Sequence, residues 1–376
     1  MAQLGRDDIE PDTPVRELPL GARQVVEIAR AVATGCRVLV LDEPTSSLAA
    51  HDIERLFTLI RRLQHQGVAV VYISHVLEEV FTISDHYTVL RDGRAVGTGA
   101  TAHATSADLV RLMVGREVAE LYPSHPHPAG EVLLEIQDLA GVARPVSAAL
   151  VLQRGVVLGI AGLVGSGRSE LLRVLFGLAP IRRGHIRFAA WVGPASPARR
   201  WRQGMGLVSE DRKTEGLALG MSIADNITLP SLRGFGPLGL VRPRRQQAAV
   251  QPWLERLQIR CRSARQAVAE LSGGNQQKVA IARLLQQQVD LLLLDEPTRG
   301  IDVGSKAQIY ALVDQLACGD TAGGRPPCAV LMVSSYLPEL LGVCDRIAVM
   351  CRGRLGPAQP VTELDAQRIM VQATGA

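Results

Sequence analysis

The sequence predicts an α/β fold that is built twice within one chain, and three observations support this interpretation. First, an apolar run that ends in Asp-Glu-Pro-Thr occurs twice, at Asp42 and again at Asp295. Second, the flanking segments repeat in register, so that Gln24 aligns with Gln277 at the same offset. Third, an apolar strand, a glycine-rich loop and an amphipathic helix follow one another around Gly162. Strands and helices in this order are typical of a doubly wound sheet that carries its functional residues on the loops after the strands.

The length and composition indicate a globular protein of more than one domain. At roughly 150 residues per domain, the 376 residues suffice for two or three domains. Hydrophobic residues make up 47% and charged residues 21%, which excludes a disordered or fibrous chain. No apolar run reaches the roughly 18 residues that a membrane-spanning helix requires, and the acidic N-terminal segment lacks the apolar stretch of a signal peptide. We therefore expect a cytosolic chain.

The placement of charges, histidines and cysteines does not indicate nucleic-acid or metal binding. The net charge of +4 is dispersed rather than concentrated in a basic stripe, so a nucleic-acid surface is not expected. His125 and His127 lie in a proline-rich stretch, where we interpret them as solvent-exposed. The six cysteines show no Cys-x-x-Cys spacing, which argues against a zinc site or a disulfide framework and predicts buried, reduced thiols. These cysteines are Cys36, Cys261, Cys318, Cys328, Cys344 and Cys351.

The repeat also predicts the domain boundaries. We expect a first domain over residues 1–116, a linker over residues 117–131 and a second domain over residues 132–376. The linker contains Tyr-Pro-Ser-His-Pro-His-Pro-Ala-Gly, whose prolines suit a connecting segment. In the first copy, the counterpart of the glycine loop at Gly162 would precede Met1, so we expect the first copy to be incomplete.

The glycine loop of the second copy has the residue types that phosphate binding requires. The segment from Gly162 to Ser169 fits G-x-x-x-x-G-K-[ST], except that Arg168 replaces the lysine. Its backbone N–H groups can surround phosphate oxygens at a helix N-terminus, and the Ser169 hydroxyl can bind Mg²⁺. The planar guanidinium of Arg168 is not equivalent to a compact ammonium, so nucleotide binding with inefficient chemistry is expected. Read by itself, the string is equally typical of a tight strand-to-helix turn. The nucleotide-binding candidates are Gly162, Gly165, Ser166, Gly167, Arg168, Ser169 and Glu170.

Two carboxylates follow the apolar strand at Leu291 to Leu294. Asp295 is the candidate Mg²⁺ ligand, and Glu296 is the candidate residue that orients and polarises the attacking water. A buried strand followed by an acidic helix cap is the alternative interpretation. It does not explain why the tetrad Asp-Glu-Pro-Thr occurs in both copies.

A Ser-Gly-Gly sequence opens a predicted helix upstream of this strand. Ser272, Gly273 and Gly274 would present free N–H groups to an anion, and Gln277 follows within the first turn. An ordinary helix N-cap is the alternative for this string. Its position shortly before a strand that ends in Asp-Glu-Pro-Thr favours nucleotide binding.

Taken together, these motifs resemble those of the ABC ATPases. The resemblance rests on the loop at 162–169, the signature at Leu271 to Gln277, the pair Asp295-Glu296, and His75 after an apolar strand. Within that superfamily, VSEDRKTEGLALGMSIADN and DEPTRGIDVGSK look similar to the fused-tandem ATPases of bacterial monosaccharide importers of the ribose, galactose and xylose type. The resemblance implies tandem ABC-type P-loop ATPase domains, each with a mixed sheet core and a helical subdomain.

The resemblance also implies a function, ligands and partners. It implies an ATP-hydrolysing motor subunit that uses ATP and Mg²⁺ to drive sugar import through membrane permease subunits. An extracytoplasmic sugar-binding protein would be an indirect partner, and no nucleic acid is expected. The subunit would assemble with itself or a homologue and lie peripherally on the cytoplasmic face of the membrane.

In that family, each ATP site combines the loop, carboxylates and histidine of one module with the signature of the other. Carried over to this sequence, one site would use Asp42 for the metal, Glu43 and His75 for catalysis, and the second-copy signature. The other site would use the loop at 162–169 with Asp295 and Glu296. In that second site, the first-copy signature has Pro19 and Leu20 in place of Ser and Gly, and Ser335 aligns with His75. The resemblance therefore implies one hydrolytic site without its loop and one degenerate, nucleotide-holding site.

Two alternatives remain open from the sequence. A soluble tandem ABC protein that acts on ribosomes or nucleic acid would also lack membrane spans. A nucleotide-binding but catalytically impaired module would fit the arginine at 168. The transported sugar is not encoded in these motifs.

Overall fold

The computed structural model describes residues 10, 12–18, 20–45, 48, 50–74, 76–91, 93–114, 122, 127–236, 240–319 and 326–375. The chain divides into two compact units, Met1–Val118 and Ala119–Ala376. Among the helices of these described ranges, none is long and apolar enough to cross a membrane.

The first unit is a small α/β body. Strands β1 and β2 pair in parallel, and β3 and β4 form an antiparallel hairpin. Leu39 and Leu41 of β1 pack with apolar residues of α1 and α2 to form its core. The elements are α1 (Leu20–Ala33), β1 (Val38–Asp42), α2 (Ala50–His65), β2 (Ala69–Ile73), α3 (Leu77–Ile83), β3 (His86–Arg91), β4 (Arg94–Ala100) and α4 (Ser106–Val114).

The second unit contains an antiparallel sheet of four strands, in the order β6-β5-β8-β9. These strands are β5 (Val132–Gly141), β6 (Ala148–Gln153), β8 (Ile181–Phe188) and β9 (Trp191–Val192). Its other early elements are β7 (Val157–Ala161), α5 (Arg168–Phe176), α6 (Pro197–Arg202), β10 (Met205–Val208), α7 (Ile223–Thr228) and α8 (Pro243–Arg256). The later elements are α9 (Gly273–Gln286), β11 (Leu291–Asp295), α10 (Val303–Cys318), β12 (Ala329–Val333), α11 (Leu337–Val343), β13 (Arg346–Cys351), β14 (Arg354–Leu355), β15 (Gln359–Pro360) and α12 (Ala366–Thr374).

A mixed sheet forms the centre of the second unit. Strands β10, β11, β12, β7 and β13 are parallel neighbours in that order, and β14 and β15 pair antiparallel with β13. Every residue of β7, β11 and β12 is buried, as expected for parallel strands that are covered on both faces. One face packs on helices, and the other packs on α5 and the antiparallel sheet. The predicted α/β fold with a mixed sheet core is confirmed.

The two units differ in how they cover equivalent strands. In the second unit, the face of β11 and β12 that points toward α5 is buried in an apolar core. In the first unit, the corresponding face of β1 and β2 is exposed, while the opposite face packs on helices. The exposed residues are Val38, Val40, Val71 and Ile73.

The structure bears on three expectations from the sequence, which concern the linker, the two histidines and the cysteines. Part of the predicted linker packs on the second unit, since Tyr122 stacks on Tyr310 with ring centroids 5.3 Å apart. The side chain of His127 is only 4% exposed, so its interpretation as a solvent-exposed residue was wrong, whereas His125 lies outside the described residues. None of the six cysteines forms a disulfide, as expected, but only Cys328 and Cys344 are buried.

Candidate functional site

The glycine loop of the second unit joins the buried strand β7 to helix α5. Gly162, Gly165 and Gly167 all have positive φ angles, of 153°, 76° and 112°. At Gly162, an added Cβ would lie 2.4 Å from the carbonyl oxygen of Met350, so no other residue fits there. The loop is therefore held by the close approach of two backbone segments.

The loop is closed by its own backbone and contains a buried hydroxyl without a partner. The N–H of Ser166 donates to the carbonyl of Leu163 at 3.0 Å, and the Ser166 carbonyl accepts from the Gly353 N–H at 2.7 Å. The Oγ atom of Ser166 is buried and has no hydrogen-bond partner. An orphaned buried hydroxyl in a glycine-rich loop fits an anionic ligand.

The start of α5 places a hydroxyl against a carboxylate. The Ser169 hydroxyl donates to Asp295 Oδ1 at 3.0 Å, at the carboxyl end of β11. Burial raises the pKa of Asp295 to about 7, and the negative charges of Glu210 and Glu296 raise it further against the opposing effects of Ser169 and Arg168. A divalent cation beside Asp295 would offset this desolvation and repulsion, so the donor set fits Mg²⁺. Glu170 lies next along α5 and is partly buried.

The arginine in the lysine position of the loop is turned toward the candidate catalytic carboxylate. Arg168 Nη1 donates to the carbonyl of Ser334 at 2.8 Å, and Nη2 lies 3.5 Å from Glu296 Oε1. Both side chains are 8% exposed. Ser335 donates its hydroxyl to Glu296 Oε2 at 3.1 Å, from the position that aligns with His75. His75 itself lies outside the described residues. Glu296 is thus held by a cation on one oxygen and by a hydroxyl on the other.

The predicted signature opens helix α9, as expected. Ser272 is its N-cap residue, and the carbonyl of Gly273 accepts from Arg212 Nη1 at 2.9 Å. At Gly274, an added Cβ would lie 2.5 Å from a serine hydroxyl at the start of α10. These contacts run to Arg212 and to α10 rather than to the phosphate loop. The structure therefore does not bring the signature together with the loop of the same unit.

The remaining signature candidate lies inside the unit. Gln277 is buried, and its Nε2 atom has no hydrogen-bond partner, so its role in nucleotide binding stays a prediction. Further along α9, Arg283 donates to the carbonyls of Asn226 and Gly216 at 2.8 and 2.9 Å. Burial lowers the pKa of Arg283 to about 10. This network fastens α9 to α7 and so fixes the direction in which the signature points.

In the first unit, the two carboxylates repeat the local geometry of the second unit. Glu43 has a φ of 45° and Glu296 a φ of 46°. The N–H of Glu43 donates to the Ile73 carbonyl and the N–H of Glu296 to the Val333 carbonyl, both at 2.9 Å. Asp42 precedes Glu43 at the end of β1, and both are exposed. The shared tetrad therefore imposes the same turn after the strand in both units.

Sequence reasoning did not find Arg144, which lies beside the phosphate loop. Its Cδ is 3.3 Å from the position that a Cβ on Gly167 would take, and its Nη1 is 4.0 Å from the equivalent position on Gly165. Arg144 belongs to the turn between β5 and β6, and no local pattern marks it. Only the folded antiparallel sheet brings its positive charge to the loop.

The fold and this site define a nucleotide-binding protein of the P-loop type. A profile of the ABC transporter family matches residues 147–299. The ribose import ATP-binding protein RbsA of Chromobacterium violaceum is 43% identical over 373 residues, which cover 99% of this chain and 73% of that protein. The arabinose import ATP-binding protein AraG of Rhizobium etli is 40% identical over 369 residues, which cover 97% of this chain and 72% of that protein.

Solved structures show the same fold. A nucleotide-free ATP-binding cassette from an ABC transporter superposes with a TM-score of 0.54 at 19% identity, covering 64% of this chain and 99% of that chain. An ATP-binding cassette in its ADP conformation gives a TM-score of 0.51 at 21% identity, covering 65% and 95%. The chain belongs to the ABC transporter family of ATP-binding proteins.

Proposed function

We propose that this chain is the ATP-binding subunit of a sugar import system and that its second unit holds Mg-ATP. The observation that carries the proposal is the contact between Ser169 and Asp295, which sets a hydroxyl and a carboxylate side by side at the end of the phosphate loop. Ser169 and Asp295 would hold Mg²⁺ there, and the ion would offset the negative charge of the phosphates. The buried Ser166 hydroxyl and the charge of Arg144 provide further groups for an anion.

The second unit would turn ATP over slowly. Glu296 must be free to accept a hydrogen bond from water if it is to polarise that water. Its two oxygens instead contact Arg168 and Ser335. This arrangement favours a site that retains nucleotide, and it agrees with the degenerate site that the sequence implied.

The first unit would be a second copy of the ATPase domain. The equal geometry of Glu43 and Glu296 supports this, and Asp42 would hold Mg²⁺ where Asp295 does in the second unit. The roles of His75 in hydrolysis and of Ser272, Gly273 and Gly274 in nucleotide binding stay predictions.

The partners follow from the names of the relatives, which describe ribose and arabinose import ATP-binding proteins. By analogy, this chain would dock on membrane permease subunits from the cytoplasmic side and receive sugar indirectly through an extracytoplasmic binding protein. These names favour import over an action on ribosomes or nucleic acid.

Calorimetric titration with ATP tests the binding site. The purified chain should bind ATP at least about 10-fold more tightly with Mg²⁺ than with EDTA. Ser169→Ala and Asp295→Asn should each remove this difference, because the first deletes the hydroxyl and the second removes the carboxylate charge that suit the ion. Ser263→Ala, at an exposed loop position, should behave as the wild type. Binding that is equally tight with EDTA would contradict the site.

Uptake assays test the import role separately. Cells in which the gene is deleted should lose uptake of at least one labelled monosaccharide, and the intact gene should restore it. The uptake of a labelled amino acid by the same cells is the control, because it would also fall if the deletion lowered the energy supply of the cell. Unchanged uptake of a panel of pentoses and hexoses would exclude sugar import while leaving nucleotide binding intact.

A further inference from the structure

A buried histidine joins the start of the second unit to two acidic residues and a cysteine. The ring of His127 contacts Asp345 Oδ1 through Nδ1 at 2.9 Å and Asp314 Oδ1 through Nε2 at 3.2 Å. The side chain of Asp314 is 6% exposed. One donor atom from each of His127, Asp314 and Cys318 lies within 4.8 Å of the others. Nothing in the nucleotide site uses this cluster.

Asp345 holds the ring in a defined orientation. Its Oδ2 accepts from the Val157 N–H at 2.7 Å, and its own N–H donates to the Val157 carbonyl at 2.9 Å. A carboxylate fixed in this way accepts a hydrogen bond from Nδ1–H and, in the neutral ring, leaves the lone pair of Nε2 facing Asp314. A carboxylate that orients a histidine through its second nitrogen is the usual outer partner of a metal-binding imidazole.

The contact on the other side of the ring is not a hydrogen bond. Nε2 of His127 is buried and has no hydrogen-bond partner, although Asp314 Oδ1 is 3.2 Å away. A buried carboxylate oxygen at this distance from a ring nitrogen is stabilised by a cation, either a second proton on the ring or a bound metal ion. Asp314 and Cys318 are four residues apart in α10, which places both side chains on one face of its last turn.

We propose that His127, Asp314 and Cys318 form a binding site for a divalent transition metal ion of the zinc class. Imidazole nitrogen, carboxylate oxygen and thiolate sulfur together suit Zn²⁺ rather than Mg²⁺ or Ca²⁺. Three protein ligands leave a fourth coordination position on the ion. Because Cys318 is partly exposed, a solvent molecule can reach that position. The absence of a Cys-x-x-Cys spacing does not exclude such a site, because its ligands come from distant parts of the chain.

The ion would fix the point at which the chain enters the second unit. His127 precedes β5, Asp314 and Cys318 close α10, and Asp345 precedes β13. A metal bond would tie the entering segment to α10 independently of the nucleotide site. Loss of the ion should therefore loosen this segment without changing the phosphate loop.

Cobalt titration of the purified, EDTA-treated chain tests the site. One equivalent of Co²⁺ should produce the absorption of a cobalt–thiolate bond, and one equivalent of Zn²⁺ should displace it. Cys318→Ser should remove the thiolate band, and His127→Gln should weaken Zn²⁺ binding at least about 10-fold. Asp345→Asn, which acts only through the ring, should weaken binding by about 10- to 100-fold while the thiolate band remains.

The controls separate this site from adventitious binding. Cys36→Ser changes a partly exposed cysteine of the first unit and should leave the band unchanged. Circular dichroism establishes that each variant is folded. A band that is lost equally in Cys36→Ser, or no thiolate band in the folded wild type, would overturn the proposal. Nuclear magnetic resonance provides a second test of the proposal. If both ring nitrogens of His127 remain protonated in excess Zn²⁺, the histidine is an imidazolium between two carboxylates and does not bind the ion.

Discussion

Replacing Gly162 by alanine is expected to weaken the binding of Mg-ATP about 100-fold or more. The new Cβ would lie 2.4 Å from the carbonyl oxygen of Met350 and 2.8 Å from Ser166 Oγ. Met350 is fully buried in β13, which pairs with β7, so its backbone has no room to retreat. The φ of 153° at Gly162 adds strain for any L side chain. The loop must therefore shift, and its N–H groups lose the arrangement that phosphate oxygens require. Calorimetry with Mg-ATP measures the loss.

Two further glycine substitutions make this result interpretable. Gly220→Ala adds a Cβ that meets nothing within 4 Å and should leave affinity unchanged. Gly165→Ala meets only Arg144 Nη1 at 4.0 Å but has a positive φ, so an intermediate loss is expected. All three tryptophans, Trp191, Trp201 and Trp253, lie in the second unit, so their fluorescence reports whether that unit is folded. A folded Gly162→Ala protein that binds Mg-ATP as the wild type does would refute the assignment of the loop.

The parts of the site that follow from local sequence were predictable. The strand, loop and helix around Gly162 are contiguous, and their glycine spacing reflects the positive φ angles that the structure shows. The run of leucines before Asp295 predicted a buried strand, because four successive apolar residues suit a strand that is covered on both faces. The mixed sheet was expected only from the resemblance to the ABC ATPases, because the antiparallel pairing of β14 and β15 with β13 has no mark in the motifs.

The parts that depend on distant contacts were not predictable. Arg168 could be identified as a departure from the lysine of the motif, but not as a partner of Glu296. Arg144 reaches the loop only through the turn between β5 and β6, and His127 is buried only because α10 and β13 close over it. Spacing within a motif carries no information on such pairs. The proline-rich composition around His127 suggested exposure, whereas the hydrogen bond to Asp345 holds its ring inside the unit.

The pair Arg168–Glu296 is expected to show strong energetic coupling. Arg168→Met leaves Glu296 as a buried charge without its cation and should cost about 3 kcal/mol of unfolding free energy. Glu296→Gln removes the charge that needs pairing, so the double variant should recover part of this loss. Urea denaturation followed by tryptophan fluorescence gives the four free energies of the double-mutant cycle. We expect a coupling of about 1–3 kcal/mol, and additive losses would show that the pair does not interact.

The same Glu296→Gln variant also decides whether this glutamate is a working base. Removal of a free general base lowers turnover by about 100- to 10,000-fold. Because Arg168 and Ser335 already occupy both oxygens of Glu296, we expect the rate of ATP hydrolysis by this chain to fall less than about 10-fold. Glu363→Gln, at an exposed position, provides the matched control for loss of one charge. A 100-fold fall specific to Glu296→Gln would mean that the contacts with Arg168 and Ser335 break when nucleotide binds, and the second unit would then be a hydrolytic rather than a nucleotide-retaining site.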